Sequence, residues 1–185
     1  TAAAAGRRCA VHVEIDTGMG RAGMGMTEAV GTIRRIAALG ALDLDGIFTH
    51  FPASDLDVPF TRNQIAAFSG LVDELAQGGI RFRWVHAANS GAIMEFPSSH
   101  FNLVRPGLVV YGLAPSTGLD GRIDVAPTMS FKSRIVLVRE MPAGASVSYG
   151  RTWVSERPFR MGIVPVGYGH GLGHRLSNNG SVLFR

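Results

Sequence analysis

The chain has one cysteine, Cys9, and one lysine, Lys132, among its 185 residues. A lone thiol excludes an internal disulfide framework and a cysteine-built zinc site. Because only one of the eighteen basic residues is lysine, the positive charge is almost wholly arginine, and the net +4 is spread with no run longer than Arg7-Arg8 or Arg34-Arg35. Nucleic-acid binding is not expected from such a pattern. No apolar run approaches the roughly 18 to 20 residues of a membrane span, and the Ala2 to Ala5 stretch is too short for a signal peptide. A soluble, cytoplasmic protein without membrane association is expected. What is abundant is apolar: 46% hydrophobic against 17% charged residues suffices to bury a core.

The apolar pattern alternates between two periods. Ala10 to Ile15 reads as a strand, Asp16 to Met24 as a glycine-rich loop, and Thr27 to Leu39 as a helix. Leu44 to Thr49, the loop His50 to Pro59 and the helix Phe60 to Gln77 repeat that unit. Phe82 to Ala87 gives a third strand with a short helical turn at Ala92 to Glu95, and Phe101 to Arg105 a fourth strand. Such alternation predicts an α/β fold of parallel strands with crossover helices, four of them being half of a (β/α)8 barrel. Beyond about Leu119 the runs Ser130 to Arg139, Val147 to Trp153 and Met161 to Val166 carry no helix between them and predict an antiparallel β region. The boundary is placed in Ser116 to Asp124, dividing the chain into domains 1–120 and 121–185.

Polar residues follow each predicted strand: Arg21, His50, Asn89 with Ser90, and Arg105. In a barrel these strand ends converge on one face, where active sites are built. Two other patterns are weaker. Gly18-Met-Gly-Arg-Ala-Gly23 spells a dinucleotide-binding turn and would suggest a nucleotide-binding oxidoreductase, yet the helix begins several residues too late and the acidic Asp45 stands at the start of its strand instead of ending it. His170 and His174 are spaced for one helix face, but the glycines around them disfavour that helix, so no metal site is expected.

Six segments occur in an order and spacing that resemble the alanine racemases, fold-type III enzymes dependent on pyridoxal 5′-phosphate (PLP). They are Asp16-Thr-Gly-Met-Gly-Arg21, Thr49-His-Phe51 with Ser54-Asp55, His86-Ala-Ala-Asn-Ser90, Val104-Arg-Pro-Gly107 with Tyr111-Gly112, Val147-Ser-Tyr-Gly-Arg151, and Val166-Gly-Tyr168. The resemblance implies the second half of a (β/α)8 barrel that binds PLP, followed by the start of a C-terminal antiparallel β domain. It implies a homodimer that interconverts L- and D-alanine through a PLP aldimine, with a free amino acid as substrate. Ser90 with the backbone amides of Gly107 and Leu108 would hold the cofactor phosphate, and Arg105 would face the pyridine nitrogen. His50 would connect Arg105 to Tyr168, the acid/base supplied by the partner subunit. Arg21 would hold the cofactor's phenolic oxygen and the substrate carboxylate.

Glu14 stands where family members often carry a carbamylated lysine, and an ion pair between Glu14 and Arg21 is expected in its place. The Schiff-base lysine belongs to a segment upstream of these motifs, and Lys132 lies in the β region, so the chain is expected to be a truncated portion, inactive alone. The Pro52 segment also resembles broad-specificity amino-acid racemases, and a non-catalytic phosphate-binding descendant is a further alternative.

Overall fold

The computed structural model describes residues 2–184 and divides the chain into two compact units, Thr1–Met129 and Ser130–Arg185. In the first, β1 (Cys9–Asp16), β2 (Met24–Gly25), β3 (Leu42–Phe48) and β4 (Trp84–His86) form one parallel sheet in the order β2-β1-β3-β4. Between them run α1 (Met26–Ala37) and α2 (Val58–Gln77), with α3 (Ser90–Glu95) after β4. The alternating text of β1 sends Val13 and Ile15 into the core, where they meet Ile33 of α1, Ile47 of β3 and Phe68 of α2.

The helix ends follow from local chemistry. Asp57 caps α2 by accepting the Phe60 N–H at 3.0 Å, and Pro59 sits in the first turn, where no intrahelical donor is needed. Thr61, Gln64, Ile65, Phe68, Leu71 and Leu75 then form the buried face of α2 at three- and four-residue spacing. Glu28 serves α1 by accepting the Gly25 N–H at 3.2 Å.

Two expected strands are corrected. The fourth, Phe101 to Arg105, is reduced to a single parallel bridge between His86 and Leu103. Phe101 adopts a left-handed φ of 46°, and Pro106 has no N–H to extend a ladder, so the segment cannot stay extended. In the second unit, Val147 to Trp153 is a hairpin, with β6 (Ser146–Val147) antiparallel to β7 (Trp153–Val154). Positive φ at Ser148, Gly150 and Arg151 turns the chain between them. The other pair is β5 (Leu137–Met141) against β8 (Phe159–Ile163), also antiparallel. An α/β sheet followed by antiparallel β structure is the architecture expected. No helix among the described residues is long and apolar enough to cross a membrane.

Candidate active site

Register brings distant residues together. Across β1, β3 and β4 the pairs Val13↔Ile47 and Ile47↔Val85 lie on the side covered by helices, while Glu14↔Phe48 and Phe48↔His86 occupy the other side, with His12↔Gly46 one step away. Strand alternation therefore gathers His12, Glu14, Phe48 and His86 on one face. The His86 ring stacks on Phe48 with centroids 4.9 Å apart and planes 4° from parallel.

Arg105 crosses this face. Its Nη1 donates to His86 Nδ1 at 2.7 Å, and Nη2 donates to His50 Nδ1 at 3.0 Å. Nη2 also reaches the carbonyl oxygens of Thr49 at 2.9 Å and Ala87 at 3.2 Å, and the guanidinium lies 5.3 Å over the Phe48 ring. A guanidinium only donates, so both imidazoles must present a bare Nδ1 and carry their proton on Nε2. Electrostatics agree with neutral rings. Burial, then the charges of Arg105 and Arg21, lower the His50 pKa, with Glu14 opposing. Burial, then Arg105 and His12, hold His86 down to about 4. Burial also lowers the Arg105 pKa, and Glu14 offsets part of that effect.

Beside Arg105 lies a cradle of small donors. Ser90 Oγ accepts the Gly107 N–H at 2.9 Å, which ties α3 to the loop after Arg105. Leu108 opens a 3₁₀ turn, so its N–H has no acceptor within that turn. Asn89 fixes the neighbouring backbone: its Oδ1 accepts the Ala92 N–H and the Ser54 hydroxyl, and its Nδ2 donates to the Phe51 carbonyl. A Cβ at Gly91 would come within 2.7 Å of Ser54 Oγ, so only glycine fits there without a shift. These groups enclose a cavity of about 250 Å³ lined by His50, Ser54, Asp55, Asn89, Ser90, Gly91, Arg105, Gly107, Leu108 and Pro115. A larger cavity, about 420 Å³, shares none of these residues.

Five of the expected site residues thus line one cavity: His50, Ser90, Arg105, Gly107 and Leu108. Arg21 lies outside that lining, exposed, although its charge reaches His50. Tyr168 is in the second unit, 72% exposed, with its ring 6.2 Å from that of His174. Lys132 is exposed in the second unit.

The expected Glu14–Arg21 pair does not form among the described residues. Glu14 belongs to the face that carries Arg105 and acts on Arg105 and His50, while Arg21 follows a loop wound on Asp16. That loop also answers the dinucleotide motif. The Asp16 carboxylate accepts the amides of Gly18, Met19 and Gly20, leaving no free nest for a phosphate, and these bonds hold its pKa below the usual carboxylate range. His170 and His174 fall on separate 3₁₀ turns, and the described residues hold no group of three metal-ligating side chains.

Sequence reasoning gave no role to His86 or His12. His86 opens the segment His86-Ala-Ala-Asn-Ser90 at the end of a strand, and His12 is a polar interruption of apolar text on the same face as Glu14. The face alternation of β1 was the available signal.

A parallel sheet with helices, bearing a cationic, donor-lined cavity beyond its strand ends, defines a partial α/β barrel of the kind that holds anionic ligands. The description "Alanine racemase, N-terminal domain" matches residues 1–115, and "Alanine racemase, C-terminal domain" matches residues 128–185. The chain belongs to the alanine racemase family. It is 40% identical over 184 residues to "Alanine racemase 2" of Caldanaerobacter subterraneus subsp. tengcongensis, covering 97% of this chain and 47% of that relative. Identity is also 40% with the alanine racemase of Halothermothrix orenii, over 95% of this chain and 46% of that protein. Among solved structures, the alanine racemase from D-cycloserine-producing Streptomyces lavendulae superposes with a TM-score of 0.86 at 35% identity, covering 97% of this chain and 48% of that one. That of Clostridium difficile 630 gives 0.84 at 33% identity, covering 93% and 46%. The chain spans about half the length of the curated relatives it matches. Its fold is the second half of a (β/α)8 barrel followed by the start of an antiparallel β domain.

Proposed function

We propose that this chain is part of a PLP-dependent racemase that interconverts L- and D-alanine, acting in the cytoplasm as a homodimer. The observation that carries this reading is the pairing, in one cavity, of an arginine clamped by two neutral histidines with a serine and backbone amides suited to a phosphate. The donor set fits the cofactor at both ends. The Ser90 hydroxyl and the Leu108 amide would donate to its phosphate, the Gly107 amide would do so only by sharing the bond it already gives Ser90 Oγ, and Arg105 would face its ring nitrogen. PLP, when bound, supplies an electron-withdrawing ring that acidifies the Cα–H of an attached amino acid.

Arg105 would face the nitrogen as a cation that donates a hydrogen bond yet is too weak an acid to hand over its proton, so the nitrogen would stay unprotonated and the ring's electron demand would be moderated. His50 accepts from Arg105 at Nδ1 and so has its Nε2–H free to donate. In this reading Tyr168 of one subunit serves the other's barrel, and its phenol exchanges the proton on one face of Cα. Arg21 orients the substrate carboxylate, a task for which a planar fork of donors is suited. No lysine lines the cavity, so the 185-residue chain alone lacks the group that holds the cofactor covalently and is inactive.

The test uses the protein as naturally produced, loaded with PLP, with the optical rotation of alanine followed from either enantiomer. Ser90→Ala should weaken PLP binding roughly tenfold, the worth of one hydrogen bond to a charged group. Arg105→Leu should lower turnover far more than it lowers PLP affinity. A protein that binds PLP normally but leaves every amino acid unracemised would overturn the reading in favour of a non-catalytic binder.

A further inference from the structure

The imidazole of His12 occupies a slot made for it. The register of β1 against β3 shifts between Val11 and His12, and this places His12 opposite Gly46. A Cβ on residue 46 would lie 2.5 Å from the His12 ring, so the ring can sit there only because that residue is glycine. From the slot, His12 Nδ1 faces His86 Nε2 at 2.9 Å, and His12 Nε2 lies 3.8 Å from the Asp45 carboxylate. His86 in turn takes the Arg105 guanidinium on its Nδ1.

The direction of each hydrogen bond in this row follows from its one fixed member. Arg105 cannot accept, so His86 Nδ1 is bare and the His86 proton is on Nε2. That Nε2–H points at His12 Nδ1, which must therefore be bare as well, and the His12 proton sits on Nε2, the side of Asp45. The row reads Arg105 to His86 to His12, each donating to the next, with a carboxylate at its end. Were the His86 proton to move to Nδ1, two donors would oppose each other across 2.7 Å and Arg105 would lose its acceptor.

We propose that His12 is a positioning residue for Arg105: by accepting from His86 it adds the second of the two bonds that select the His86 tautomer, the first being the one from Arg105, and through that ring it helps hold the guanidinium in place. The consequence for turnover rests on Arg105 facing the cofactor ring, as read above; the tautomer itself does not. His12 touches neither Arg105 nor the cavity, and it works only through the ring of His86.

The test separates hydrogen bonding from packing. Asparagine carries Oδ1 in the place of Nδ1, so His12→Asn keeps an acceptor, whereas His12→Leu keeps the bulk and removes it. Imidazole ¹⁵N spectra of the unliganded protein, as naturally produced, should show His86 protonated at Nε2 in the parent and in His12→Asn. His12→Leu should show a mixture of tautomers. In the parent a scalar coupling across the His86 N–H···N His12 bond is expected, a readout that needs no variant to fold.

In the PLP-loaded protein, His12→Leu should lower kcat on the order of tenfold at unchanged KM, a loss typical of outer residues that orient a site, with most of it restored in His12→Asn. A parent His86 protonated at Nδ1, no coupling across the pair, or equal spectra and equal kcat in His12→Leu would each overturn the proposal. If the parent racemises no amino acid, the reading of function fails, while the spectra still decide the role of His12.

Discussion

The two units bury their side chains very differently. The first encloses Ile15, Ile33, Ile47 and Phe68 completely, while in the second Ser155 is the one buried residue among those described. Leu137, Val138 and Val154 of the second unit are each about half exposed. Both stretches are rich in apolar residues, so composition does not explain the contrast. A βα unit brings its own cover, because each crossover helix lays an apolar face on the strands it joins. An antiparallel pair of two to five residues per strand has two faces and, within its own unit, no layer to put on either. Within these 185 residues, then, connection type more than hydrophobicity decides which stretch makes a core from its own elements, and the β stretch needs cover from outside them.

Core truncation puts the contrast to its strongest test. Phe68→Ala should cost about 3 to 5 kcal/mol in chemical denaturation, whereas Val138→Ala should cost below about 0.5 kcal/mol. If Val138→Ala costs more than about 2 kcal/mol, the apolar side chains of the second unit have a buried setting in solution and the contrast fails.

The next effect belongs to the first unit alone and depends on pH. His86 titrates near 4 when folded, below its ordinary value of 6.5. The unfolded chain therefore binds the extra proton more readily, so the stability held by neutral His86 is complete above about pH 6.5 and is lost as pH falls toward 4. With screening of the charge interactions by solvent, the loss should be on the order of 1 to 2 kcal/mol. Urea midpoints measured across that range should fall in the parent and level off in His86→Asn, which keeps an acceptor for Arg105 without a titrating ring. An equal acid slope in both proteins would assign the effect elsewhere.

The smallest effects compare one polar contact in each unit. Asp57→Ala removes the cap of α2 and should lower stability by about 1 kcal/mol. Glu140→Gln breaks the 2.7 Å pair with Arg160, whose side chains are 71% and 74% exposed, and should change stability by less than about 0.5 kcal/mol. Thermal melts at low and high salt distinguish them, since only the second should shrink further as salt rises.

Much of the first unit could be read from residue order. The alternation in β1, the three- and four-residue spacing in α2 and the Asp57-Val-Pro start are local patterns, and local patterns are what a linear text displays. The segment 101–105 misled because its apolar residues suit a strand while Phe101 takes a left-handed turn that side-chain pattern does not reveal. Ser148 and Arg151 hide the hairpin of the second unit in the same way. In the candidate site, His50, Ser90 and Arg105 were legible because each closes a strand or loop motif. The row through His86 to His12 was not, because its members lie 74 residues apart and meet only through a bulged register opposite Gly46. The Glu14–Arg21 expectation failed for a related reason. Proximity in sequence across a glycine turn says nothing about which groups the turn amides have already claimed.

The loop closed on Asp16 has a consequence for the timing of recognition. With three of its amides bonded to one carboxylate, the backbone leading to Arg21 has lost its conformational freedom on folding, before any ligand arrives. Whatever meets Arg21 has only that side chain's rotamers left to restrict, at most about 2 kcal/mol for an arginine. Once a ligand has arrived by diffusion, the remaining adjustment is a side-chain reorientation, a matter of nanoseconds, with no loop left to fold.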